Sequence, residues 1–499
     1  MRKTGYRQSN RRITNIEGEA AMSQNNTQKT QIKQEKQFPQ TIQNQRNPIL
    51  PLGVHIPDSE AHVMPDGKLY VYGSYDDRED VYCSEEYHVA STSDMKTWTV
   101  HEKSLDGKDI PWCNNPDYPH YPGIDWTHPT PFILKMLSEY AEDKEAFEKA
   151  EEGPKPSLLF APDCLERDGK YYLYFCMSDD TEGVAVSDKP EGPFTDWKQL
   201  PVGGIDPAIF IDDDGQAYYY WGQLFSHGAK LADDMVTLDE ESITDNLVTE
   251  EEHFFHEGSS MRKIGDTYYY VYASIAYGKP TSLSYATSKS PLGPFTYRGV
   301  IINNQECDPA SWNNHGSIEC VNGQWYVFYH RCSQGDKLNR RLCIEKIQIM
   351  PDGSIPEVKM TSQGVGDPFG LGETVKGYEA CGVRGGCCIG LSEEQEPYPE
   401  KLTNLKKGCE AVFRYFNAEH VYSTFSITAA GSGKITLLLN GKEAGTLNIT
   451  GAADEQAGTA QTFTAQITLP EEKPEDGLYE AVLRIEESSG LELFDLTLG

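Results

Sequence analysis

The chain has 499 residues, more than one hydrophobic core spans, so two domains or a repeat-built domain with a smaller companion are expected. Its 77 acidic against 44 basic residues give a net charge of -33, which repels nucleic acid and anionic membranes and leaves neutral ligands as the easier partners. Twelve cysteines are too sparse for a disulfide scaffold, and no CxxC pair with a histidine partner suggests zinc, so free thiols in a reducing compartment are expected.

Residues 1–45 are polar and rich in Gln and Asn, and cannot bury enough apolar surface to offset chain entropy. They are expected to form a disordered tail. The basic start is followed by no apolar stretch of the kind that export signals carry, so a cytoplasmic location is expected. Apolar runs elsewhere are strand-length, so no membrane span is expected.

A short motif then recurs five times: a turn with Asp-Gly, Gly-Asp or Asn-Gly, followed by a run of Tyr, Val, Leu and Phe. The copies are DGKLYVYGSYD (66–76), DGKYYLYFCMSD (168–179), DGQAYYYWG (214–222), GDTYYYVYASI (265–275) and NGQWYVFYHR (322–331). Each reads as a hairpin. Starts lie 102, 46, 51 and 57 residues apart, a period near 50 that marks β-propeller blades with one insertion. The reading is all-β: a five-bladed propeller over 46–360, followed by a β-sandwich.

The insertion covers about 106–156. It opens with a Pro/Trp/Tyr-rich loop and continues through Ile133, Met136, Leu137, Tyr140 and Phe147 at helical spacing, so a helix is expected there. Residues 361–373 are rich in Gly and turn formers and read as a linker. Over 374–499, alternating runs such as KITLLLNG and TFTAQITLP predict a sandwich of the jelly-roll type.

Counting back from each turn glycine to the start of the inner strand reaches Asp58, Asp206, Glu257 and His315 in the first, third, fourth and fifth blades. The second blade has Ala161 there, followed by Pro162 and Asp163. Inner strands line a propeller's central channel, so three carboxylates and an imidazole are expected to converge. A lone Asp before Pro is usually a turn residue, but surface charges have no reason to keep register with blade starts. Hydrolysis of a glycosidic bond needs an acid and a base, and a third carboxylate beside the donor raises its pKa and keeps it protonated.

The five strand starts, IPDSEAHVMPDGKLYVYGSYD, FAPDCLERDGKYYLYF, IDPAIFIDDDGQAYYYWG, HEGSSMRKIGDTYYYVYAS and HGSIECVNGQWYVFYHR, resemble glycoside hydrolase family 43 in order and spacing. The resemblance covers about residues 47–350. It implies that Asp58 is the general base, Glu257 the general acid and Asp206 the group that tunes and orients the acid, with inversion at the anomeric carbon. It departs at Asp58, which precedes Ser59 where the family commonly has Pro. It further implies that Asp76, Trp221, His315 and Arg331 bind the terminal sugar. No cofactor is required, although His315 resembles a channel position where a structural calcium is held.

The segment from Gly377 resembles family 6 carbohydrate-binding modules more loosely, with Tyr415, Phe416 and Tyr422 as candidate aromatic platforms. Buttressing of the propeller is the competing role. The expected activity is that of an exo-acting α-L-arabinofuranosidase on plant-derived glycans, with β-xylosidase as the nearest alternative and a non-catalytic carbohydrate-binding propeller as the alternative of another class. Oligomeric state is not legible.

Overall fold

A computed structural model describes residues 40–78, 80–119, 121, 157–392, 400–450 and 460–499. The helix expected over Ile133 to Phe147 lies outside the described residues. Among them the only α-helical stretch is Glu250–His253, and no helix is long and apolar enough to cross a membrane.

Five antiparallel sheets follow the five repeats. The first blade comprises Glu60–Val63, Leu69–Tyr72, Glu86–Thr92 and Thr97–Asp106. An outer strand, Thr41–Gln43, pairs with Thr97–Asp106, so ordered chain begins inside the stretch assigned to the disordered tail. The second blade runs from Leu159–Arg167 to Thr195–Gly203, the third from Ala208–Ile211 to Thr244–Thr249, and the fourth from Phe255–Ile264 to Thr296–Asn303, each with four strands. The fifth has three: Ser317–Val321, Gln324–Ser333 and Asp336–Ile347.

The aromatic runs explain why the blades stay together. Alternate residues of each inner hairpin point to opposite faces, so both faces of a blade carry bulky side chains for its two neighbours. Tyr72 and Phe175 share one cluster between the first and second blades, and Tyr174 and Tyr219 another between the second and third. Tyr220 and Tyr270 pack edge to face between the third and fourth blades, with centroids 5.5 Å apart. Val271 and Val327 meet between the fourth and fifth, while Trp98 and Phe328 close the ring between the fifth and first.

The short fifth blade is completed from the chain's other end. Ile49 N–H donates to Leu342 O, placing the segment Asn47–Ile49 along the outer strand. Asn47 is fully buried; its Nδ2 donates to Ile344 O, Glu345 Oε1 and Thr361 O, and its Oδ1 accepts from Ile344 N–H. Ser59 bridges Gly316 in parallel, and Ser317 Oγ donates to Ser59 O, joining the first and fifth blades at the channel.

Residues 361–373 form a packed strap rather than a loose connection. Ser362 and Gln363 N–H both donate to Arg414 O, and Phe369 is buried with the Arg46 guanidinium 4.1 Å from its ring centre. The sandwich beyond is one continuous sheet system in which the long strands Thr424–Leu439 and Leu478–Leu498 pair with one another. Its face toward the propeller adds Cys381, Val412, Leu438 and Val482 to the apolar cluster of the fourth and fifth blades. Phe416 and Tyr422 belong to the sandwich's own core, so neither offers a sugar platform; Tyr415 is half-buried.

Asn47 thus stands where chain start, fifth blade and strap meet. Asn47→Ala takes the side-chain partner from both Ile344 N–H and Ile344 O in the interior, and is expected to destabilise the fold by about 2–4 kcal/mol, read as a lowered urea midpoint.

Candidate active site

The register of acids with blade starts places them together at one end of the channel. Asp58 and Asp206 each lie two residues before their inner strands and share a left-handed backbone, with φ of 55° and 54°. Such conformations are uncommon outside glycine and are tolerated best by Asp and Asn. Both carboxylates are buried.

Asp58 is held on all sides. Arg340 Nη1 donates to Oδ1 at 2.8 Å and to Oδ2 at 3.0 Å, and Ser74 Oγ donates to Oδ2 at 2.7 Å. Ser74 in turn accepts from Ala161 N–H, tying the second blade to this carboxylate. Burial alone would push the Asp58 pKa up, but Arg340, followed by His315, His330 and the Ser74 hydroxyl, outweighs it and holds the group below the ordinary aspartate value of 3.8. Burial pushes His315 down to about 4 and His330 to about 3, so both imidazoles are neutral near pH 7 and Arg340 is the charge that keeps Asp58 ionised there.

Asp206 accepts the Gly258 N–H at 3.0 Å, and its own N–H donates to Cys176 Sγ. The first of these bonds links it to the residue after Glu257. Glu257 Oε2 accepts from Gln223 Nε2 at 2.7 Å, with His256 Nε2 at 3.8 Å. His315 lies between the two aspartates, with Nδ1 at 4.0 Å from Asp58 Oδ1 and 3.8 Å from Asp206 Oδ2. Three expected residues, Asp58, Asp206 and His315, therefore surround one place, and Glu257 stands on the strand whose next residue, Gly258, is bonded to Asp206.

The other sequence candidates fall elsewhere. Both Asp76 oxygens are engaged by Arg340, through Nε, Nη2 and the backbone N–H, and Oδ1 also accepts from Cys83 N–H. Its place is behind the base, where it orients the arginine. Trp221 is buried and stacks on Tyr219 and His227, which leaves little of the ring for a sugar. Arg331 requires correction. Strand alternation turns His330 to within 3.7 Å of Asp58 and therefore turns Arg331 the other way, where it donates to Cys343 Sγ, Ala380 O and Thr361 O beside the sandwich.

The arginine that does reach the site, Arg340, was not singled out from sequence, nor were Ser74 and Gln223. Parity offered a signal for Arg340, because it pairs with Cys332 and so shares the face of His330.

Calcium takes six to eight oxygens. Around His315 the nearest acidic oxygens are those of Asp58 and Asp206, already bonded to Arg340, Ser74 and Gly258, so the described residues do not fit a directly held calcium. Deeper in the channel Glu60, His62 and Asp163 converge, with His62 Nε2 2.7 Å from Asp163 Oδ1. There Arg262 already supplies positive charge, donating to Glu60 Oε1, Ala61 O and Glu319 Oε2.

Gly258 has φ of 74°, and a Cβ on it would lie 2.7–3.0 Å from His315 Cδ2, Nε2 and Cγ. Gly258→Ala is expected to lower stability by about 1–3 kcal/mol through strain and displacement of the imidazole. An unchanged urea midpoint would mean that His315 is not held by this contact.

A profile of the glycosyl hydrolases family 43 matches residues 135–355. A xylosidase/arabinosidase of Thermoclostridium stercorarium is 31% identical over 451 residues, covering 76% of this chain and 84% of that protein. One of Bacteroides ovatus is 30% identical over 357 residues, covering 61% of this chain and 94% of that protein. A solved family 43 β-xylosidase/α-arabinofuranosidase from a compost microbial metagenome is 29% identical, with a TM-score of 0.49 over 64% of this chain and 98% of that one. With the proteins of Thermoclostridium stercorarium and Bacteroides ovatus matched over most of their length, the chain belongs to glycoside hydrolase family 43 and is a glycoside hydrolase.

Proposed function

We propose that this enzyme is an inverting, exo-acting α-L-arabinofuranosidase that removes terminal arabinose from plant-derived oligosaccharides and polysaccharide side chains. The observation that carries the catalytic part is the clamp on Asp58: a carboxylate bonded by Arg340 and Ser74 and held below its usual pKa is a base that stays ionised. β-Xylosidase activity is the second reading, supported by relatives whose names carry both activities.

In the proposed reaction Glu257 gives its proton to the glycosidic oxygen as the bond to the anomeric carbon breaks. Asp58 takes a proton from the water that attacks the opposite face, so the sugar leaves with inverted configuration. Asp206, bonded to the Gly258 N–H, orients the acid's strand and serves as its tuner. The two carboxylates need no cofactor for this chemistry.

Hydrolysis of 4-nitrophenyl α-L-arabinofuranoside and β-D-xylopyranoside tests the reading. Wild type is expected to cleave the first faster, and Glu257→Ala and Asp58→Ala each to lose about a hundredfold or more. Faster cleavage of the xyloside would transfer the proposal to the second reading, and full activity in either variant would remove that residue's role.

A further inference from the structure

Glu182 is a buried carboxyl that the proposed reaction does not use. It lies on the second-blade strand Thr181–Ser187 and is the direct ladder partner of Cys176, so both side chains leave the same face of the sheet. That face packs on the third blade: Tyr174, two residues before Cys176, meets Tyr219 with ring centres 5.4 Å apart.

The carboxyl is fully buried there, and Tyr219 Oη donates to its Oε2. Its Oε1 has no hydrogen-bond partner among the described residues. The ionisable groups that face it are Asp180, just ahead of its own strand, Cys176 on the partner strand and Tyr219 on the third blade; none of them is a cation.

Two contacts connect this carboxyl to Asp206. Cys176 Sγ accepts the Asp206 N–H at 3.3 Å. A Cβ on Gly204, two residues before Asp206, would lie 2.9 Å from Glu182 Oε1 and 3.0 Å from Trp221 Cδ1, so the carboxyl is seated against the link that delivers Asp206 from the second blade. Gly204 N–H donates to Asp180 O and Ile205 O accepts from Gly222 N–H, which pins that link on both sides.

We propose that Glu182 is a positioning residue for Asp206: with Cys176 it seats the link 203–205, and thereby fixes where the carboxylate bonded to Gly258 N–H stands. The proposal rests on Asp206 as the acid's tuner. Glu182 fills this place as the neutral acid. Ionised, it would leave a charged oxygen without a donor in an apolar interface and set a second negative charge behind Cys176 and Asp206. Burial pushes its pKa up to about 8, against the pull of the Tyr219 bond, so it keeps its proton at neutral pH.

The test compares Glu182→Leu, which keeps the bulk but not the acceptor for Tyr219, with Glu182→Gln, which keeps shape and neutrality. On the nitrophenyl glycoside that wild type cleaves, Glu182→Leu is expected to lose about tenfold or more in kcat with KM nearly unchanged, and Glu182→Gln to recover to within about twofold of wild type. Asp206→Asn, measured alongside, is expected to lose at least as much as Glu182→Leu. Full activity in Asp206→Asn removes the tuner reading and this proposal with it; loss in Asp206→Asn with full activity in Glu182→Leu overturns this proposal alone. Should Glu182→Leu fail to fold, Glu182→Gln decides, since a tenfold loss there overturns the neutral-acid role. Protonation has its own readout: the infrared difference between wild type and Glu182→Gln at neutral pH is expected to show the carbonyl stretch of one protonated carboxyl, and a carboxylate band in its place overturns the assignment.

Discussion

The guanidinium of Arg340 joins parts of the chain more than 250 residues apart and makes the active-site geometry a property of the closed ring. It grips Asp58 with one nitrogen and Asp76 with two others, each contact between 2.8 and 3.0 Å. A buried arginine between two aspartates is favourable because it is bonded to both; removal of Arg340 leaves two buried carboxylates without their cationic partner. The first and fifth blades are consequently held together by chemistry as well as by packing, at the point where the proposed base must be ionised.

Everything upstream serves to bring that arginine there. The fifth blade has three strands of its own, and its outermost strand carries Arg340 toward the channel while borrowing its outer partner from Asn47–Ile49. The opposite face of that strand presents Arg341 to the sandwich. Alternation along one strand thus couples the active site on one side to the domain interface on the other. The sandwich gives the blade an apolar cover, a role that its shared core with Val412, Leu438 and Val482 makes physical.

Much of this is legible in the sequence. Five turn-plus-aromatic repeats define five blades, and acids recurring at the same repeat position define the channel mouth, because a propeller maps repeat position onto radius. What escaped depended on distant partners or on parity. Arg340 makes sense only beside Asp58 and Asp76, which no local pattern connects to it. Arg331 turns from the channel for a reason one residue away: if His330 faces the channel, Arg331 cannot. Asp76 lies behind the base, where its oxygens hold Arg340, a partner on the fifth blade that no local pattern ties to it. Phe416, on the strand Glu410–Asn417, and Tyr422, in the connection that follows it, both turn into the sandwich core, and aromatic content alone does not say which way a ring turns.

The central claim is that Arg340 keeps Asp58 ionised. A carboxylate whose folded pKa is depressed stays charged until the pH falls through that low value, so wild type should lose kcat/KM on its acid side only below about pH 4. The direct measurement is the pH profile of kcat/KM for Arg340→Met against wild type. Removing the positive charge favours the protonated acid, so the acid limb is expected to move up by about 1–3 pH units. A variant that loses activity uniformly, with its acid limb unmoved, would contradict the account and leave Arg340 a role in binding or packing alone.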